Sequence, residues 1–211
     1  MKLTPENRNQ HGPRKIQLSH LIFKLLSEGL LKTPSSILEI GPSSSGLGGL
    51  VLDQFEMTPI DAIEAHRPFY EGLLNYNANL LRNGRNHPVY GAVSLGRVED
   101  LTSAQKYNLI FGFNAKAQFF DWEKLKNLLP DLLSDTGQVL LTLPSGDYPF
   151  VSLDDSFEIV LDELTADFIR DVGQPFVNTN GIIYDQLGLR ITKEFYESNE
   201  SDYRVVLANK R

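Results

Sequence analysis

The stretch Glu39–Gly49, EIGPSSSGLGG, is where the fold is decided. A short apolar run, Ser36 to Ile40, leads into it, and an apolar helical pattern, Leu47 to Phe55, leads out. Glycine- and serine-rich turns that join a strand to a helix hold phosphates, nucleotide cofactors or nucleophilic serines.

The segments around the turn repeat its strand-and-helix alternation. Upstream, Leu18, Ile22, Leu25 and Leu26 form a helical stripe within Lys15 to Leu31, which Thr33-Pro34-Ser35 ends. Downstream, Ile60 to Ile63 reads as a second strand ending in Glu64. A helix then runs from Pro68 to Asn83-Gly84, and Val89 to Leu95 is a third strand. Tyr107 to Phe113 is a fourth, apolar on both faces like a buried parallel strand. Asp121 caps a helix carrying Trp122, Leu125, Leu128, Leu129, Leu132 and Leu133, kinked at Pro130 and closed by Gly137; Gln138 to Leu143 is a fifth strand. This is the pattern of a doubly wound parallel α/β sheet. The rest changes character. Residues 144–188 are mixed, with an acidic helical segment near Phe157 to Ile169. Leu189 to Tyr196 and Tyr203 to Ala208 read as a closing hairpin around Ser198-Asn199-Glu200-Ser201. The expected organisation is a flexible arm over 1–14 and a single domain over 15–211, with 144–188 inserted as a substrate cap.

Composition narrows the function. The 211 residues suit one domain with a sizeable core. Hydrophobic residues make up 41% and charged residues 22%, as in soluble globular proteins. Lysine plus arginine is 20 against 27 aspartate plus glutamate, a net −7, so no nucleic-acid partner is expected. With no cysteine, disulfides, cysteine-ligated metal and a cysteine nucleophile are excluded. The polar start, MKLTPENRNQHGPRK, lacks the apolar core of a signal peptide, and no run approaches the ~20 apolar residues of a membrane span. A cytoplasmic location with no membrane partner is the expectation. No histidine–carboxylate spacing resembles a metal site.

Three readings of the turn fail on chemistry. Gly41 and Gly46 have phosphate-loop spacing, but Leu47-Gly48 stands where a lysine and a hydroxyl are required. Gly41-Pro42-Ser43-Ser44-Ser45 lacks the second glycine of a nucleophile elbow, and the last histidine is His87, too early for such a triad. Gly46-Leu47-Gly48-Gly49-Leu50-Val51 fails a dinucleotide fingerprint at its third glycine.

ILEIGPSSSGLGGLVL resembles motif I of the class I S-adenosylmethionine-dependent methyltransferases, in which an acid stands one position before a glycine, as in Glu39-Ile40-Gly41. Glycine is common there at the positions of Ser43 and Ser45; if either needs positive φ, serine costs energy. Ile60-Asp61-Ala62-Ile63-Glu64 is similar to the family's second strand, and Glu64 is then the acid that binds the ribose hydroxyls, beside Ala65. Gly96-Arg97-Val98-Glu99-Asp100-Leu101 resembles the adenine turn. Arg97 departs from the aspartate of many relatives, so Val98 N–H is the implied adenine contact. Tyr107 to Asn114 is similar to the fourth strand. The resemblance covers about Lys15 to Leu143. It implies a Rossmann-like doubly wound seven-stranded sheet with helices on both faces and a C-terminal antiparallel hairpin. The implied cofactor is S-adenosylmethionine, held by Glu39, Gly41, Ser43, Ser45, Gly46, Glu64, Ala65, Arg97, Val98 and Asn114.

Methyl transfer to a small molecule is the leading expectation. The sulfonium is already a good leaving group, so alignment and exclusion of water suffice and no catalytic dyad is required. Substrate candidates are His20 on the N-terminal helix, Lys116 and Gln118 after the fourth strand, and Tyr148, Phe176 and Tyr184 in the insert. His66 reads either as a ribose or adenine neighbour or as an exposed loop residue, and Phe119, Phe120 and Trp122 either as pocket or as packing. Arg97 reads either as pocket lining or as a surface ion pair, and Asp61 as structural or exposed. Two other outcomes stay open: the fold with a different chemistry on the same cofactor, or a non-catalytic scaffold.

Overall fold

The computed structural model describes residues 12–43, 46–57, 59–101, 105–113, 121–144, 153, 155–164, 176–177, 183–184 and 203–211, with backbone alone at 12–16, 144, 176–177 and 183–184. Helix α1 (Gly12–Ser27) precedes strand β1 (Ile37–Ile40), α2 (Leu47–Gln54), β2 (Ile60–Glu64), α3 (Arg67–Arg82) and β3 (Tyr90–Leu95). A 3-10 turn (Val98–Asp100), β4 (Tyr107–Gly112), α4 (Trp122–Leu132), β5 (Leu133–Pro144) and β6 (Phe157–Leu164) follow. The two-residue strands β7 (Phe176–Val177) and β8 (Ile183–Tyr184) pair with each other, and β9 (Tyr203–Lys210) completes the main sheet.

That sheet has seven strands in the order β3-β2-β1-β4-β5-β9-β6. β1 to β5 are parallel, and β9 runs antiparallel between β5 and β6. Side chains alternate across each strand, so two apolar faces form. On one, Ile37, Leu109, Phe111, Leu140 and Leu207 meet Leu18, Leu21, Ile22 and Leu25 of α1, Val51 and Leu52 of α2 and Leu73 of α3. On the other, Leu38, Ile40, Ile110, Val139 and Leu141 meet Leu125, Leu129 and Leu132 of α4. Helices on both faces and the seven-stranded sheet agree with the expected fold class.

Three local expectations are corrected. The segment read as an acidic helix near Phe157 to Ile169 contains edge strand β6 over 157–164, although that segment falls inside the expected insert. The pairing of β6 with β9 slips between Ile159 and Leu161, a bulge that admits one extra residue. Phe157 therefore packs on the α4 face and Leu161 on the α1–α3 face, and neither simple alternation nor a helical stripe survives in the sequence. The C-terminal antiparallel pair is real, but its first strand is β6. Both edges of β9 are taken by β5 and β6; the expected strand over Leu189 to Tyr196 lies outside the described residues. Finally, α4 ends at Leu132 rather than Gly137. Leu133 already pairs with Tyr107 of β4, and the irregularity over 134–137 sits inside the strand. The expected Asp121 cap is present, its carboxylate accepting from Lys124 N–H at 3.2 Å.

Candidate functional site

β1 lies between β2 and β4, and the helices that follow β1 and β4 leave on opposite faces. The chain thus opens a crevice at the C-terminal ends of β1 and β4, the switch point where doubly wound sheets bind ligands. The EIGPSSSGLGG turn leaves β1 at that point.

The turn is built on left-handed backbone. Gly41, Ser43 and Gly46 have φ of 63°, 56° and 52°. Gly41 N–H donates to Ile63 O at 2.9 Å, tying the turn's start to β2. Ser43 occupies a left-handed conformation that suits glycine better than an L side chain. Gly46 caps α2, and its carbonyl accepts Leu50 N–H at 3.0 Å.

Glu64 closes β2, only 5% exposed. Its Oε2 accepts Ser43 N–H at 3.0 Å and its Oε1 accepts His66 N–H at 2.9 Å. A carboxylate has about four acceptor positions, so a diol can still be received. The same residue's carbonyl accepts Gly96 N–H at 3.0 Å, which joins β2 to the GRVED turn. One residue therefore links all three sequence motifs.

Glu39 is 1% exposed on the α2 face of β1. Its Oε2 accepts the Tyr90 hydroxyl at 2.7 Å, and the Gly49 N–H also serves it. Burial raises its pKa from 4.5 to about 7; the Tyr90 and Gly49 hydrogen bonds oppose the rise, and the Glu64 charge adds to it. Burial likewise pushes the Tyr90 hydroxyl well above its ordinary value, with the Glu39 charge adding. Three glycines make room for this pair. A side chain at Gly48 would collide with Glu39 Oε1 and Phe111, one at Gly49 with the Tyr90 hydroxyl, and one at Gly46 would stand 3.0 Å from that hydroxyl.

In the GRVED turn, Val98 is buried in the apolar cluster on the α4 face of the sheet. Arg97 is exposed and pairs with Glu99 at 2.9 Å, the surface-pair reading with a buried partner. Glu99 also accepts Asp121 N–H, fastening the turn to the start of α4. Burial pushes the Glu99 carboxyl up, but the Arg97 and Asp121 hydrogen bonds outweigh it and hold the group below its usual value. Asp61 is structural as expected: it accepts from Ala92 N–H, Gln105 and Tyr107.

The remaining candidates divide. Ala65 and His66 are exposed beside Glu64, with the His66 ring 4.8 Å from that of Phe69. His20 is 1% exposed within the α1 packing. Phe176 and Tyr184 are register partners in the β7–β8 pair, apart from the main sheet. Ser45, Asn114, Lys116, Gln118 and Tyr148, with Phe119 and Phe120, lie outside the described residues. Sequence reasoning missed Tyr90 and the role of Glu99. Tyr90 carried no motif; its only signal was a tyrosine opening a strand two places from an acid-bearing β1, and strand order is needed to see it.

Among the described residues no group of histidine, aspartate and glutamate is placed to hold a metal ion, and no helix is long and apolar enough to cross a membrane.

No family model and no curated protein matches this chain. Solved structures do. The plantazolicin methyltransferase BpumL, in complex with SAH, is 13% identical with a TM-score of 0.55, over 98% of this chain and 91% of that one. A candidate sarcosine dimethylglycine methyltransferase from Galdieria sulphuraria is 15% identical with a TM-score of 0.60, over 92% and 85%. A candidate methyltransferase, yhhF from Escherichia coli, is 14% identical with a TM-score of 0.56, over 92% and 87%. At these identities the likeness shows the fold: the chain has the class I methyltransferase fold.

Proposed function

We propose that this protein is an S-adenosylmethionine-dependent methyltransferase acting on a small-molecule acceptor. The observation that carries the reading is Glu64, a buried carboxylate at the C-terminal end of β2 that holds Ser43 of the cofactor turn while keeping acceptor positions free for a diol. The left-handed backbone at Gly41, Ser43 and Gly46 supports the same reading, because it turns the chain sharply between β1 and α2 at the ligand-binding end of the sheet. The bound cofactor supplies an activated methyl group on a sulfonium.

Each residue then has a positional task. Glu64 accepts from the ribose hydroxyls, and the first N–H groups of α2 face the amino-acid carboxylate. Val98 N–H meets the adenine, and Arg97 stays with Glu99 to fix that turn. Gly41 and Gly46 bring backbone close to the ligand, with Ala65 beside the ribose. Ser45 and Asn114 are further proposed cofactor contacts. Lys116, Gln118, Tyr148, Phe176 and Tyr184 are the proposed acceptor contacts. Their contribution is alignment of the acceptor with the methyl group and exclusion of water, which is a proximity effect. The net −7 charge suits a small acceptor better than a nucleic acid.

Incubation with S-adenosylmethionine and a small-molecule library, followed by mass spectrometry, tests the reaction. The expected result is an acceptor heavier by one methylene with stoichiometric S-adenosylhomocysteine. Cofactor turnover to any other product contradicts methyl transfer while leaving cofactor binding standing.

A further inference from the structure

Tyr90 is fully buried at the start of β3, yet its hydroxyl reaches Glu39 on β1, two strands away. The intervening strand places the small Ala62 opposite Glu39, which leaves the path open. A phenylalanine would fill the same volume without bringing a polar group into the core, where an unpaired partner is costly. Moreover, Gly46, Gly48 and Gly49 all give up side chains to seat this pair beneath the cofactor turn.

We propose that Tyr90 is a positioning residue for the cofactor turn: its hydroxyl holds Glu39, and its ring seats Gly46 and Gly49, so the first turn of α2 meets its ligand in one orientation. The inference rests on the cofactor reading above. The groups around Glu39 are Tyr90 on β3 and Glu64 on β2, with Tyr76 of α3 beyond Tyr90, next to the Asp53–Arg85 ion pair. Glu39 in its ionised form favours a cationic ligand on the turn. Affinity for S-adenosylmethionine therefore rises as pH passes through about 7, where Glu39 ionises. Losing the Tyr90 hydrogen bond removes an influence that lowers the Glu39 pKa, so the midpoint moves up.

The test is calorimetric titration of S-adenosylmethionine into the full chain from pH 6 to 9, with folding of each variant checked by circular dichroism. Tyr90→Phe is expected to weaken binding roughly five- to tenfold at pH 7, the scale of one intramolecular hydrogen bond, and to raise the midpoint. Glu39→Gln is expected to lose the rise near pH 7 and keep just the titration of the ligand's own α-amino group, and Tyr107→Phe, whose hydroxyl reaches Asp61, to behave as the unaltered protein. A uniform loss in Tyr90→Phe with the midpoint unmoved, or no loss, overturns the inference, as does a rise near pH 7 that persists in Glu39→Gln. Absence of binding by the unaltered protein at every pH overturns the cofactor reading, and this inference with it.

Discussion

Ser43 carries the cost of the motif's serine substitution. Its φ of 56° is a left-handed angle at which an L side chain is disfavoured and a β-branched one more so. Stability should fall in the order Ser43→Gly, unaltered, Ser43→Val, spanning about 2 kcal/mol in urea denaturation. Equal stability of all three would contradict the strained turn. Glu39 yields a second prediction. Its pKa of about 7 lies above the 4.5 of an ordinary glutamate, so the folded state binds the extra proton and is favoured below pH 4.5. That advantage is lost as pH rises through about 7, amounting to about 3 kcal/mol. The stability difference between the unaltered protein and Glu39→Gln should therefore change with pH across this window and level off above it. The acids at 39 and 64 and the serine problem were legible in the sequence, because acid, glycine and spacing are one-dimensional signals. The Tyr90 bond was not, because it spans from β3 to β1 across β2, a proximity that appears only once the strand order is known.

α2 and β6 show how elements depend on close contacts. Alanine is a better helix former than glycine by about 1 kcal/mol, so propensity alone favours Gly48→Ala. The contacts oppose it: the new methyl group would meet Glu39 and Phe111 inside a packed core. Overpacking of that kind costs about 1–3 kcal/mol, and the steric term should win, with Gly48→Ala lowering the thermal midpoint. In β6 the bulge decides which apolar residues matter. Leu161→Ala should lose about 2–4 kcal/mol and Ile159→Ala, 45% exposed, under about 0.5, measured by urea denaturation. Equal losses would contradict the slipped register. The strands β1 to β4 were legible because each is a compact apolar run between turn residues. β6 was hidden because its bulge sends Phe157 and Leu161 to opposite faces. The end of α4 was misplaced because Leu133, apolar at helical spacing, is captured by pairing with β4.

At the scale of the molecule, alternation of strand and helix from Ser36 to Leu143 sufficed to specify a parallel sheet covered on both faces. Strand order then does what no single motif can: it puts β1 beside β4, opens the crevice, and draws the turn, Glu64 and the GRVED loop to one end of the sheet. The C-terminal part was less legible, since β9 enters between β5 and an edge strand lying about forty residues earlier, and long-range antiparallel insertion leaves no local signature. The central claim is that this end of the sheet binds S-adenosylmethionine through Glu64. The most direct measurement is calorimetric titration of S-adenosylhomocysteine into the unaltered protein and into folded Glu64→Ala. The account predicts one-to-one binding that Glu64→Ala weakens at least roughly tenfold, the loss of charge-assisted hydrogen bonds. No binding by the unaltered protein, or equal binding by the two, would contradict it.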